Sequence, residues 1–242
     1  RSTVVMTSDN DSRSAALVPS ESAVQRLDSR QLDARRIVRH DMQDARPADA
    51  FRDLRTQLLA RTDSRVEVLL VAPVARGSGG SYVALNLAAA FAFDETRQVI
   101  LVDCNLRQPC LHQRLDVEVR NGGLVDYLEG RVDNLADVLY PSGLARLTLL
   151  PVGTRREASG DLLGHARMRG MIDSLRSVAE KVTVILDAPA ANASPDTRIL
   201  ATMTDCCVLV AGYGRDTPAA VQSASAVLDP QRLAGVVFNR VP

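Results

Sequence analysis

Val66-Glu-Val-Leu-Leu-Val-Ala-Pro73-Val-Ala75-Arg-Gly77-Ser78-Gly79-Gly80-Ser81-Tyr82 reads as an apolar strand that runs into a glycine-rich turn, and Val83-Ala-Leu-Asn86-Leu-Ala-Ala-Ala-Phe91 then reads as the helix that leaves it. A turn of this kind between strand and helix gathers backbone N–H groups at a helix N-terminus, where an anion such as a phosphate is favoured. Gly77, Ser78, Gly79, Gly80, Ser81 and Tyr82 are therefore the candidate nucleotide-binding positions, with the Ser81 hydroxyl where such loops bind Mg²⁺. The usual lysine of such a loop would fall at position 80, but Gly80 stands there, and the chain's single lysine is Lys181. The architecture points to an NTPase and the chemistry points away from one.

Working outward, 242 residues that are 46% apolar, with 29 basic and 29 acidic side chains, predict one sizeable soluble domain with an extension. Zero formal charge gives no electrostatic case for nucleic-acid binding. Cys104, Cys110, Cys206 and Cys207 lack paired zinc-site spacing and read as reduced packing residues. No leader and no apolar run near the ~20 residues of a membrane span is visible. A cytoplasmic location is expected, with membrane association only through a partner.

Residues 1–46 are rich in Ser, Asp and Arg and read as a flexible or partly helical extension, and residues 47–242 as the domain. Pro47 fits the first turn of a helix reaching Arg61. Beyond it, short apolar runs alternate with helical stretches. The expected strands are Val66–Ala72, Gln98–Asp103, Leu147–Val152, Val182–Asp187, Cys206–Ala211 and Ala234–Phe238. The expected helices are Ser81–Phe93, Gly123–Leu128, Leu135–Leu139, Asp161–Ala179, Pro195–Thr204 and Pro218–Leu228. Strands so uniformly apolar are buried on both faces, so the prediction is an α/β fold with a doubly wound, mostly parallel sheet, helices on both faces, and the ligand crevice beyond the carboxyl ends of the strands.

Two strands end in a carboxylate. Val99-Ile-Leu-Val-Asp103-Cys-Asn105 and Val182-Thr-Val-Ile-Leu-Asp187-Ala-Pro189 each place an Asp where it can meet the phosphate loop. An Asp at a strand end is by itself often only a turn cap. Two of them beside one glycine loop form the arrangement by which NTPases hold Mg²⁺ and phosphate together. That makes Ser81, Asp103 and Asp187 the candidate Mg²⁺ set and Asp103, Asn105 and Asp187 the candidate catalytic positions.

Over roughly residues 47–242 the chain resembles the bacterial tyrosine kinases, P-loop ATPase domains of the deviant-Walker, MinD/ParA-like type that partner polysaccharide co-polymerases in capsule and exopolysaccharide export. Asp49-Ala-Phe-Arg52-Asp-Leu-Arg55 is similar to that family's E-x-x-R-x-x-R helix, and VDCNLRQP to its I-D-x-D-x-R-x-P. Gly123-Leu-Val-Asp-Tyr-Leu-Glu-Gly130, Leu149-Leu-Pro-Val-Gly153, Leu186-Asp-Ala-Pro189 and Gly235-Val-Val-Phe-Asn239 also match. The resemblance implies ATP or ADP with Mg²⁺ as ligands. It implies Asp49, Arg52 and Arg55 as an oligomer face toward like or related kinase domains. A membrane chain-length determinant would hold the chain at the inner membrane.

Four departures fall on chemical positions: Gly80 for the lysine, Asn105 for an Asp, Ala190 for a Pro, and no tyrosine cluster up to Pro242, the tyrosines being Tyr82, Tyr127, Tyr140 and Tyr213. The expectation is a degenerate, kinase-like regulatory or scaffolding protein with weak nucleotide binding and little or no turnover. Two alternatives stand beside it. One is an active tyrosine autokinase with Arg76 or Arg107 as substitute cation. The other is a MinD/ParA-like placement ATPase, against which Ala75 occupies that group's signature lysine position.

Overall fold

The sheet order places both strands that end in a carboxylate on one side of the glycine loop. The computed structural model describes residues 26–61, 67–157, 160–179 and 181–240. Residues 1–25 of the expected extension lie outside the described residues, as do Val66 and Pro242.

In chain order the elements are α1 (Ser29–Ala34), α2 (Arg46–Arg61), β1 (Val68–Pro73), α3 (Gly80–Phe91), β2 (Gln98–Asp103), α4 (Leu111–Leu115) and α5 (Leu124–Leu128). There follow a 3₁₀ turn (Leu135–Val138), β3 (Tyr140–Pro141), β4 (Leu147–Leu150), α6 (Gly160–Gly164), α7 (Ala166–Arg176), β5 (Val182–Asp187), α8 (Asp196–Ala201), β6 (Cys206–Gly212), α9 (Pro218–Ser225) and β7 (Leu233–Asn239). The seven strands lie in the order β3-β4-β2-β5-β1-β6-β7. All pairings are parallel except the short antiparallel β3·β4. This is the α/β P-loop architecture expected from the sequence. β1, β5 and β6 are buried along their whole length, as strands covered on both faces must be.

Two apolar layers flank the sheet. One packs Leu69, Val71, Leu101 and Ile185 under α2 and α3; the other packs Leu70, Val102, Val184 and Leu186 under α5, α7 and α8. The extension does not stop at residue 46 as far as packing is concerned. Ile37 and Val38 are buried in the first layer, and Asn86, in the middle of α3, clasps that segment. Its Oδ1 accepts from Val38 N at 2.7 Å and its Nδ2 donates to Arg36 O at 3.1 Å. Part of the extension read from sequence thus packs onto the domain ahead of Pro47. A buried helical Asn costs stability unless both ends of its amide are used, and here both are.

Other differences are local. The single helix expected over 161–179 is two, α6 and α7, because His165 adopts an extended backbone and caps α7 through its side chain. The short α4 and β3 carry too few periodic residues to stand out in sequence, while α1 falls where a partly helical extension is expected. Arg61 closes α2 by donating to Leu233 O and Ala234 O on β7.

The two glycine motifs at positions 123 and 153 are packing devices. Asp126 Oδ2 accepts from Gly123 N at 2.8 Å and Thr154 N at 3.0 Å, while Oδ1 accepts from the Thr154 hydroxyl at 2.7 Å and from Arg131. A Cβ on Gly123 would run into the backbone at Pro151 and Gly153. Burial pushes the Asp126 carboxyl upward, but these hydrogen bonds outweigh it and hold the group below its ordinary value. Its stabilising contribution is accordingly complete above about pH 4 and is lost as the pH falls through the lowered value. Asp126→Ala strands several buried N–H groups and is expected to cost about 3 kcal/mol. Urea unfolding at pH 7 checks this, and a loss below about 1 kcal/mol would contradict the role assigned to the carboxylate.

Candidate nucleotide site

β1 delivers the loop at its carboxyl end, between β5 on one side and β6 on the other. Gly77 and Gly79 have φ of 87° and 97°, the left-handed region that glycine enters without penalty. Ser78, fully buried, folds back so that its hydroxyl donates to Ala75 O at 2.8 Å and accepts from Ala75 N at 3.1 Å. The turn is thus closed upon itself. Gly79 is the N-cap of the 12-residue α3 and brings no side chain to it, so the N–H groups of the first turn are left for an anion.

Gly80 is buried against Pro73. A Cβ placed on Gly80 would lie 2.6 Å from Pro73 Cδ and 2.9 Å from its Cγ, closer than real Cβ atoms come. The lysine position has not merely lost its ammonium; its space is occupied by the ring of the last β1 residue. Tyr82 turns away from the loop mouth, its ring edge-on to Phe51 of α2 with centroids 6.1 Å apart. Burial raises its phenol above the ordinary value.

Asp103 and Asp187 stand side by side at the ends of β2 and β5, paired in register, and both are fully buried. Their surroundings differ. Asp103 Oδ1 accepts from Asn105 N at 3.2 Å, and its Oδ2 from Cys110 N at 3.0 Å and Leu111 N at 3.1 Å. Asp103 therefore organises the chain that follows β2, and Asn105 caps the turn within it by accepting from Gln108 N at 3.3 Å. Neither oxygen of Asp187 has a hydrogen-bond partner among the described residues. Burial raises Asp103 to about 6 against the pull of its three N–H donors. Burial also drives Asp187 well above its ordinary value, helped by the neighbouring Asp103, although the Ser81 hydroxyl and Arg114 ease its ionisation.

A buried carboxylate with no partner is costly and marks a place for a cation. Ser81 and Asp187 offer hard oxygen donors of the kind Mg²⁺ takes, with Asp103 adding charge behind them. No group of three or more His, Cys, Asp or Glu among the described residues could cage a metal. A Mg²⁺ there would need phosphate oxygens and water to complete its shell, and it would neutralise phosphate charge.

The proposed oligomer face divides. Arg52 pairs with Asp49 at 3.4 Å on the surface. Arg55 instead turns inward, donating to Ala90 O at 2.7 Å and so capping the carboxyl end of α3, while Arg146 donates to Ala92 O from another side. Of the substitute cations considered from sequence, Arg76 is engaged with Gln108 at 3.1 Å and Arg107 is exposed. The sequence reading missed two residues that reach the loop from β6 and β7. Arg215 donates to Arg76 O at 3.0 Å, and Asn239 Nδ2 donates to Ser78 O at 3.0 Å, covering Gly79.

No family model matches the chain. EpsB of Ralstonia solanacearum, assigned to the tyrosine-protein kinases, is 31% identical over 194 residues, covering 79% of this chain and 25% of that protein. The chain thus spans about a quarter of that relative's length. The tyrosine-protein kinase CpsD of Streptococcus agalactiae is 25% identical over 72% of this chain and 76% of its own length. Among solved structures, the kinase domain of the Escherichia coli tyrosine kinase ETK superposes with a TM-score of 0.72 at 25% identity, over 90% of each chain. A glycine loop with both carboxylate strands on its β5 side, in a sheet that matches that kinase domain nearly end to end, together with 31% identity to EpsB over 79% of the chain, places the chain in the bacterial tyrosine kinase family.

Proposed function

We propose that the chain is a degenerate member of its family, a kinase-like regulatory or scaffolding partner in exopolysaccharide or capsule biosynthesis that binds nucleotide weakly and turns it over little or not at all. The observation that carries this reading is Gly80 with the Pro73 ring seated against it, where the phosphate-binding lysine belongs. Asn105 supports it, since its side chain is engaged in a turn and lacks the charge of an Asp. Removing one donor aimed at developing transition-state charge typically costs about 10²–10³ in rate. Ground-state binding through backbone N–H groups suffers less, so a pocket that senses nucleotide without consuming it is the outcome.

In this reading the partner is a membrane-embedded polysaccharide co-polymerase, which holds the chain peripherally at the cytoplasmic side of the membrane. No helix among the described residues is long and apolar enough to cross a bilayer itself. Asp49 and Arg52 remain the surface residues offered to a neighbouring kinase-like domain.

Titrating the purified chain with ATP and ADP by calorimetry, with and without Mg²⁺, and then assaying phosphate release and tyrosine phosphorylation on the same sample, tests the proposal. Binding without turnover is expected. Turnover at the ~1–100 s⁻¹ typical of kinases would overturn it.

A further inference from the structure

We infer that Arg215 is a phosphate-binding residue, supplying from the turn after β6 the positive charge that position 80 no longer supplies. The inference rests on the reading that the glycine loop still receives a nucleotide. Gly77 has no Cβ, and one built there would lie 2.8 Å from Arg215 Nη2 and 2.9 Å from both Cζ and Nη1. Three guanidinium atoms at nearly equal distance mean that the cation lies flat on the loop. The Nη2 bond to Arg76 O at 3.0 Å fixes it there.

A guanidinium carries five N–H donors, and the contact with Arg76 uses one. Arg215 forms no salt bridge with any carboxylate among the described residues. Its neighbour Asp216 is turned back onto the end of β6, where Oδ2 accepts from Gly212 N at 2.6 Å. Arg215 is exposed, with its remaining donors free to meet an anion in the loop. On the opposite, β5 side stands Asp187, buried and unpartnered. The loop is therefore flanked by a cation toward β6 and a carboxylate toward β5. That polarity suits a phosphate chain bound with its counter-ion. Arginine's fork binds phosphate oxygens well in the ground state, but it is not the compact ammonium that follows a phosphoryl group through transfer.

Calorimetry with ADP, inorganic pyrophosphate and adenosine on the unmodified chain, Arg215→Lys and Arg215→Gln tests the assignment. Gln keeps a donor for Arg76 O and removes the charge, so a purely structural role survives that change. Arg215→Gln is expected to weaken ADP and pyrophosphate by about tenfold or more, Arg215→Lys by less, and neither to alter adenosine affinity. Equal affinity in Arg215→Gln, a parallel loss of adenosine binding, or no pyrophosphate binding by the unmodified chain would overturn the inference. Turnover that depends on Arg215 would instead refute the reading of a non-consuming pocket while leaving Arg215 as its phosphate ligand.

Discussion

Asp187→Asn is expected to raise the thermal midpoint at pH 8, although it removes the residue best placed to hold a cation. The carboxylate is fully buried with no hydrogen-bond partner, and Asp103 stands beside it in register. Breaking or omitting the partner of a buried charge costs about 3–5 kcal/mol, part of which the group escapes by keeping its proton. An amide in its place carries no charge but still lacks partners, so the net gain is about 2 kcal/mol, or roughly 4–8 °C for a domain of this size.

The sign of the pH dependence follows from the direction of the shift. Burial raises Asp187 and takes Asp103 to about 6, so the folded state binds protons more tightly than the unfolded one. Stability from these groups is full below about pH 4 and falls as the pH climbs through the folded values. The advantage of Asp187→Asn should therefore vanish near pH 4 and grow toward pH 8. Mg²⁺ with ADP should raise the midpoint of the unmodified chain and not that of the variant. Unfolding scans at both pH values check this, and a variant less stable at pH 8 than its parent would show that Asp187 has a partner in the folded protein.

The second large effect concerns Gly80→Lys. Inserting a side chain where the Pro73 ring lies forces that ring to move, and overpacking of this kind costs about 1–3 kcal/mol. The ammonium would restore a donor directed at the transferred phosphoryl group, and ATP turnover should rise by about 10²-fold or more over the unmodified chain. The two readouts move in opposite directions, which separates chemistry from folding. A destabilised Gly80→Lys without a gain in turnover would move the proposed cause of low turnover to Asn105.

The strands were legible because a parallel sheet covered on both faces needs runs dominated by Val, Ile and Leu, and β1, β2 and β5 carry such runs. The glycine loop and both carboxylates could be read off because their chemistry sits at the ends of those strands. What composition hid depends on tertiary contact. Leu32, Ile37, Val38 and Met42 before Pro47 form only a weak pattern that allows a short helix, and it does not announce that Ile37 and Val38 enter the core. Arg55 matches a surface motif in sequence yet caps a helix 35 residues away. Arg215 lies in a turn without periodicity, and only the placement of β6 beside β1 brings it to the loop. That neighbour relation was the available signal, because residues at the carboxyl end of the strand next to β1 must face the same crevice.

The clasp formed by Asn86 has a mechanical corollary. It fastens the stretch around Arg36 to the middle of the same rod whose first turn forms the anion cradle. A pull or a docking event transmitted along the polypeptide upstream of that fastening would reach the rod itself, with no flexible joint between the knot and the cradle.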